Sequence, residues 1–173
     1  MNLETERLLL IDTPLHVLQR RLETDDFYAE VETAPGHMRV HFPPQWPGAP
    51  LGSFPARAAH FDAGREAWDG TIIHKAQRVA IGMMGFKGGP DAGGAVEFGY
   101  GLNPDHHNQG YATEMVRAML AWALEQGNVR RITAKTAVGN LASRRVLEKA
   151  GLVQIGTDWD EDDGELIVWQ YPL

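Results

Sequence analysis

Gly99-Tyr100-Gly101-Leu102-Asn103-Pro104-Asp105-His106-His107-Asn108-Gln109-Gly110-Tyr111-Ala112-Thr113-Glu114 is a passage from strand to helix. Upstream, Ala95 to Leu102 reads as a strand; downstream, a helix from about Gly110 to Gln126 carries Met115, Met119 and Trp122 on one stripe, with Val116, Leu120, Ala123 and Leu124 beside it, and Gly127 ends it. A helix that opens on glycine after a polar loop presents free N–H groups and the positive end of its dipole to whatever lies ahead of it. Gly110 lets a backbone approach closely, Ala112 keeps the path clear, and Thr113 adds a hydroxyl donor. These residues point to phosphate or pyrophosphate binding.

Outward from this segment, Thr71–Lys75 and Arg78–Phe86 read as two strands joined by a tight turn at Ala76-Gln77. Arg131–Thr136 is a strand, and Asn140–Ala150 a helix capped by Asn140 and stopped by Gly151. Leu152–Trp159 and Glu165–Tyr171 flank an Asp163-Gly164 turn, a hairpin signal. At the other end, Arg7–Asp12 reads as a buried strand, Pro14 opens a helix with Leu15, Leu18 and Leu22 in register, and Asp25-Asp26 suggests a second short helix. Ala34–Pro55 holds six prolines among Met38, Phe42, Trp46, Leu51 and Phe54. It reads as a packed loop, either functional or a cover over the core, with a helix following from Ala56 to Trp68. The pattern describes a mixed α/β protein, residues 1–173 as a single domain. Hairpins imply antiparallel pairing, and the central strand–helix–strand step allows one parallel pair.

Composition excludes several classes. The 173 residues contain no cysteine, which removes disulfides, thiolate metal sites and cysteine nucleophiles and fits a cytoplasmic address. The net charge is −7 with no Lys/Arg stripe, so nucleic acid is not an expected partner. No window approaches the ~18 apolar residues of a membrane span, and the acidic start reads as no signal peptide. The acidic surface suits cationic substrates. Asp158, Asp160, Glu161, Asp162, Asp163 and Glu165 invite a calcium reading, but a loop counted from Asp158 has Asp163 where an EF-hand needs glycine and Trp169 where it needs glutamate. No metal is expected, and His106-His107 read as a wet loop.

The Gly99–Glu114 segment resembles the pyrophosphate loop of GNAT acetyltransferases, and most of all the branch of ribosomal-protein N-terminal acetyltransferases of the RimJ and RimL kind. Asn140–Leu152 resembles that branch's Asn-x-x-Ser…Glu-Lys-x-Gly-Phe, and Glu4-Thr5-Glu6-Arg7-Leu8 its usual opening. His107 stands where Gln or Arg is usual and Asn108 where Gly is common. The resemblance implies one mostly antiparallel sheet of about six to seven strands flanked by helices, splayed where acetyl-CoA binds. It implies cofactor contacts from Tyr100, Gly101, Leu102, His107, Asn108, Gln109, Gly110, Tyr111, Ala112, Thr113 and Asn140, with a backbone N–H near Tyr100–Leu102 serving the oxyanion. The acceptor would be a primary amine, that of a protein or peptide N-terminus or of a small molecule. The family often dimerises, and nothing in the sequence sets the oligomeric state. Glu97 is placed as a general base acting through water, or else is a solvated strand carboxylate; Asp158 and Asp160 are alternatives. Many members carry an acid Tyr four residues before the helix-ending glycine, here Leu147. This branch often has Ser at the position of Ser143, which is then the candidate acid or a helix-end hydrogen-bonding group. A non-catalytic acetyl-CoA-binding or sensing module is the rival from another class.

Overall fold

Four consecutive buried side chains, Leu8 to Ile11, begin the sheet. In the computed structural model, which describes residues 1–33, 36–64 and 66–173, the chain forms two compact units. The first comprises Met1–Met84 and Tyr100–Tyr111; the second comprises Gly85–Gly99 and Ala112–Leu173.

In the first unit β1 (Leu3–Glu4) pairs antiparallel with β2 (Leu8–Ile11), and β2 with β5 (Asp69–His74), Leu8 lying opposite His74. The helix α1 (Leu15–Glu23) starts after Pro14 as its sequence predicts. Its buried residues are Val17 and Leu18, whereas Leu22 is 47% exposed. The expected Leu15–Leu18–Leu22 stripe is therefore rotated, because Arg21 occupies the inward turn. It donates from Nε to the Trp46 carbonyl at 2.7 Å and from Nη2 to that of Pro44 at 3.2 Å. Arg21 thereby stitches the proline-rich segment down.

The expected helix at Asp25-Asp26 and the expected loop from Ala34 are both overturned. Phe27–Thr33 is a strand, β3, and Gly36–Phe42 is a second, β4, paired antiparallel with it. Both alternate with period two: Phe27, Val31, Val40 and Phe42 are buried, while Tyr28, Glu30, Glu32, His37 and Arg39 face outward or lie at the margin. From Pro43 onward the prolines break regular structure. His41 N–H donates to the Arg78 carbonyl, setting β4 parallel to β6 (Val79–Phe86). Trp46 and Phe54 are fully buried and meet edge to face, Trp46 meeting Phe42 likewise, so the segment covers the core. The helix expected over Ala56–Trp68 is shorter and earlier, α2 at Phe54–Ala59. Ala34 and Pro35 of the expected loop, and Arg65 of the expected helix, lie outside the described residues.

In the second unit β7 (Ala95–Leu102) runs parallel to β8 (Arg131–Ala137), from Ala95 opposite Arg131 to Phe98 opposite Ala134. Between them lies α3 (Tyr111–Glu125), whose Met115, Val116, Met119, Leu120 and Ala123 are buried as its period predicts. The last helix, α4 (Leu141–Ala150), leads to β9 (Val153–Asp160) and β10 (Gly164–Tyr171), an antiparallel hairpin with β10 against β8. Trp169 is buried and donates from its indole to Thr136 Oγ1 at 2.9 Å.

The strands β6 and β7 each continue from one unit into the other. Hydrogen bonding joins ten strands among the described residues in the order β1-β2-β5-β6-β7-β8-β10-β9, with β4 also on β6 and β3 on β4. The mixed α/β, mostly antiparallel class is as expected. The excess over six to seven strands comes from β1, β3 and β4.

Candidate cofactor loop and the carboxylate on β7

Two left-handed residues shape the loop between β7 and α3. Asn103 holds its start: its backbone N–H donates to Ile81 O at 2.7 Å, and its side-chain amide to Ala80 O at 3.0 Å. A short 3-10 turn over Pro104–His106 follows. Asn108 then has φ 59° and Gly110 φ 83°, on either side of Gln109. Left-handed residues alternating with ordinary ones turn successive N–H groups to one side, the concave arrangement that suits an anion, and α3 begins at the next residue. Asn tolerates this conformation better than most residues, so Asn108 in place of the usual glycine keeps the loop's shape. Upstream, Gly82 on β6 lies against β7 so closely that a Cβ there would overlap the Gly101 carbonyl oxygen.

The side chains of the loop mostly bind the loop itself. His107 Nε2 lies 2.8 Å from Leu102 O, so that nitrogen carries the proton. Gln109 Nε2 donates to Asp105 O at 3.0 Å, while its Oε1 accepts from the Tyr111 hydroxyl at 3.2 Å. Tyr111 and Ala112 are buried and Thr113 half-buried. Tyr100 and Leu102 are half-buried and Gly101 is exposed. His106, read as part of a wet loop, is instead half-buried. Its Nε2 bonds Gln77 Oε1 at 3.0 Å, and its Nδ1 is buried with no partner among the described residues. Burial, and then the nearby His74, hold the His106 pKa below its ordinary value.

In the second unit Glu97 pairs in register with Thr133, and its carboxylate is bracketed by cations. Lys87 Nζ lies 2.5 Å from Oε1 and Lys135 Nζ 3.6 Å from Oε2. Lys135 continues the ladder to Asp158 Oδ2 at 2.8 Å. The hydrogen bond to Asp158, followed by the charge of Glu97, raises the Lys135 pKa. The same bond lowers that of Asp158. Asp160 spends its Oδ1 on the backbone N–H groups of Asp162 and Asp163, which shapes the hairpin turn and lowers its pKa. No three His, Asp or Glu side chains among the described residues converge as a metal site.

Asn140 caps α4 as read from sequence, accepting from Ser143 N–H at 3.0 Å. Gly151 closes the same helix. Leu147, where many relatives of the resembled family carry tyrosine, is fully buried. Sequence reasoning missed Arg7, His74 and Lys135 as supports of the site residues. Arg7 had a visible signal, a cation heading a strand of four buried residues.

The family is established by comparison: a model described as an acetyltransferase (GNAT) domain matches residues 16–153, and the chain belongs to that family. The chain is 38% identical over 90 residues to an uncharacterized N-acetyltransferase, YjdG, of Bacillus subtilis (strain 168), covering 52% of each. It thus spans about half the length of that curated relative. Among solved structures, a GNAT-family acetyltransferase from Bacillus anthracis superposes with a TM-score of 0.67 at 19% identity, covering 98% of this chain and 97% of that one. RimL, a ribosomal L7/L12 alpha-N-protein acetyltransferase in complex with coenzyme A, gives a TM-score of 0.71 at 14% identity over 100% and 98% of the two chains. At these identities the structures share the fold. No helix among the described residues is long and apolar enough to cross a membrane.

Proposed function

We propose that the protein is a single-domain, cytoplasmic N-acetyltransferase that moves the acetyl group of acetyl-CoA to a primary amine of a small molecule or a peptide. The observation that carries this reading is the loop before α3, where Asn108 and Gly110 turn backbone N–H groups toward one side at a helix start. A pyrophosphate is the ligand such a concavity suits, and acetyl-CoA carries one. On this reading Tyr100–Leu102 and His107–Thr113 grip acetyl-CoA mainly through backbone, since the His107 and Gln109 side chains bind their own loop. Asn140 contributes at the head of α4.

The chemistry asks little of the protein, because a thioester is already activated. Binding both substrates in line supplies much of the acceleration. The amine nitrogen attacks the thioester carbonyl, the carbonyl oxygen becomes an oxyanion met by a backbone N–H of Tyr100–Leu102, and the C–S bond breaks. Glu97 takes the ammonium proton through water, and Ser143 returns a proton to the departing thiolate. Lys87 and Lys135 both face Glu97, so an incoming ammonium displaces Lys87 or reaches the carboxylate through solvent.

One observation favours the second reading, a non-catalytic acetyl-CoA-binding module: the position of the family's acid tyrosine is the buried Leu147. Calorimetry with acetyl-CoA, followed by thiol release over a panel of N-terminal peptides, amino acids and polyamines, separates the two. Binding with acceptor-dependent thiol release supports the enzyme. Binding with no release on any amine supports the module.

A further inference from the structure

Tyr111, the first residue of α3, is held on two sides, by Arg7 just ahead of β2 and by His74 at the end of β5. The Arg7 guanidinium carbon sits 4.5 Å above the Tyr111 ring centroid, and Arg7 Nη1 donates to the Gln109 carbonyl at 3.0 Å. A Cβ built on Gly110 would stand 3.4 Å from Arg7 Nη2. The Arg7 side chain, from the residue just ahead of β2, therefore touches Gln109 and Tyr111 and leaves little room beside Gly110 between them.

The opposite grip is a directed hydrogen-bond chain. The Gln77 backbone N–H donates to His74 Nδ1 at 3.2 Å, so Nδ1 is an acceptor and the proton of a neutral ring sits on Nε2. Nε2 lies 3.0 Å from the Tyr111 hydroxyl oxygen, which thus accepts from His74 and donates onward to Gln109 Oε1. Gln109 closes the chain on Asp105 O. The His74 ring also meets Tyr111 edge on, at 5.2 Å between centroids. Both His74 and Tyr111 are buried. The His74–Tyr111 bond at the centre of this chain is buried, and the outer bonds through Gln109 reach the surface.

We propose that Arg7 and Tyr111 are positioning residues for acetyl-CoA: the Arg7 clamp and the His74–Tyr111–Gln109 chain hold the loop before α3 in its anion-binding shape without touching the reacting atoms. This rests on the reading of that loop as the pyrophosphate site. Its consequence is selective. Loosening the loop weakens recognition of the pyrophosphate and leaves the chemistry of the acetyl end alone.

The test compares acetyl-CoA with S-acetylpantetheine, a donor that has the same thioester but no pyrophosphate, at a fixed saturating amine. Arg7→Ala is expected to raise the KM for acetyl-CoA about tenfold, with kcat within about twofold and amine KM unchanged; tenfold corresponds to about 1.4 kcal/mol. Kinetics with S-acetylpantetheine should match the wild type. Tyr111→Phe keeps the ring under Arg7 and removes only the hydroxyl with its two hydrogen bonds, to His74 and to Gln109, so its acetyl-CoA KM should rise about threefold. Equal losses with both donors, or a fall in kcat at unchanged KM, would overturn the proposal, as would wild-type acetyl-CoA kinetics in both folded variants. If the wild type binds no coenzyme A by calorimetry and handles both donors alike, the pyrophosphate reading falls and this inference with it.

Discussion

The Tyr111 hydroxyl and the Glu97 carboxylate are each held between two neighbours, but by opposite physics. Around Tyr111 the partners are a buried histidine ring and the carboxamide of the exposed Gln109, both neutral and directional. Around Glu97 they are two ammonium groups, continued through Lys135 to Asp158, with side chains from a quarter to two-thirds exposed. A neutral chain with a buried centre specifies geometry, since its bonds are directional and water does not replace the buried one. An exposed ladder of charges specifies little geometry, because solvent and salt screen it and long side chains swing. It governs instead which charged groups a substrate must exchange with. The loop region should therefore answer to mutation through binding, and the strand region through turnover.

The largest expected effect breaks the second half of that contrast. Glu97→Gln keeps the shape and removes the basicity, so turnover at neutral pH should fall about 10²-fold, the low end for general-base help. The low end is chosen because Lys87 already occupies one carboxylate oxygen. A primary amine has a pKa of about 10, so the deficit should shrink as pH rises and the amine loses its proton unaided. Rate profiles from about pH 6 to about pH 9 check this. Turnover equal to wild type throughout would make Glu97 a structural member of the ladder and move the search to other bases. Asp158 is a poor one, tied as it is to Lys135.

Next in size, Gly110→Val attacks the loop's geometry. The left-handed φ of 83° strains any branched residue, and its Cβ would stand 3.4 Å from Arg7 Nη2. Acetyl-CoA affinity should fall tenfold or more, read by calorimetry, while the thermal midpoint confirms a folded variant. Unchanged affinity would remove the anion site from this loop.

A smaller effect sharpens the buried side of the comparison through pH. The pKa of His106 lies below its ordinary value of 6.5, chiefly from burial and then from His74. Above that value the ring is neutral in both folded and unfolded chains, and its contribution to stability is fully present. As pH falls, the unfolded chain takes up the proton first, so stability is lost down through the folded pKa. Urea midpoints at about pH 7.5 and about pH 5.5 should differ less in His106→Gln than in wild type. An identical difference would show that His106 titrates in the native state as it does in water.

The smallest expected effect is Lys135→Met, which cuts the ladder at its centre. Melting temperature should move by no more than a few degrees, and added salt should narrow the gap between variant and wild type. A large, salt-independent loss would mean that the exposed ladder holds the sheet as firmly as the neutral chain holds the loop.

Much of the second unit was legible in the sequence, because its signals are local. Ala95–Leu102 alternates, α3 repeats every 3.6 residues, Asn140 and Gly151 bracket α4, and each acts within a few residues of itself. The same is true of the loop's two left-handed positions, since Asn and Gly advertise the backbone they permit. Phe27–Phe42 was misread because neighbouring signals outweighed its own: Asp25-Asp26 suggested a helix start, and prolines beyond Phe42 blurred an alternation present in both strands. What only the tertiary structure decided are the pairings across distance. Arg7 meets Gln109 across 102 residues, His74 meets Tyr111 across 37, and Lys135 meets Glu97 and Asp158 by strand register. A sequence displays each partner's chemistry, but the choice among many possible partners is made when strand pairing brings two of them within hydrogen-bonding reach and, at His74 and Tyr111, burial excludes the water that would otherwise serve both.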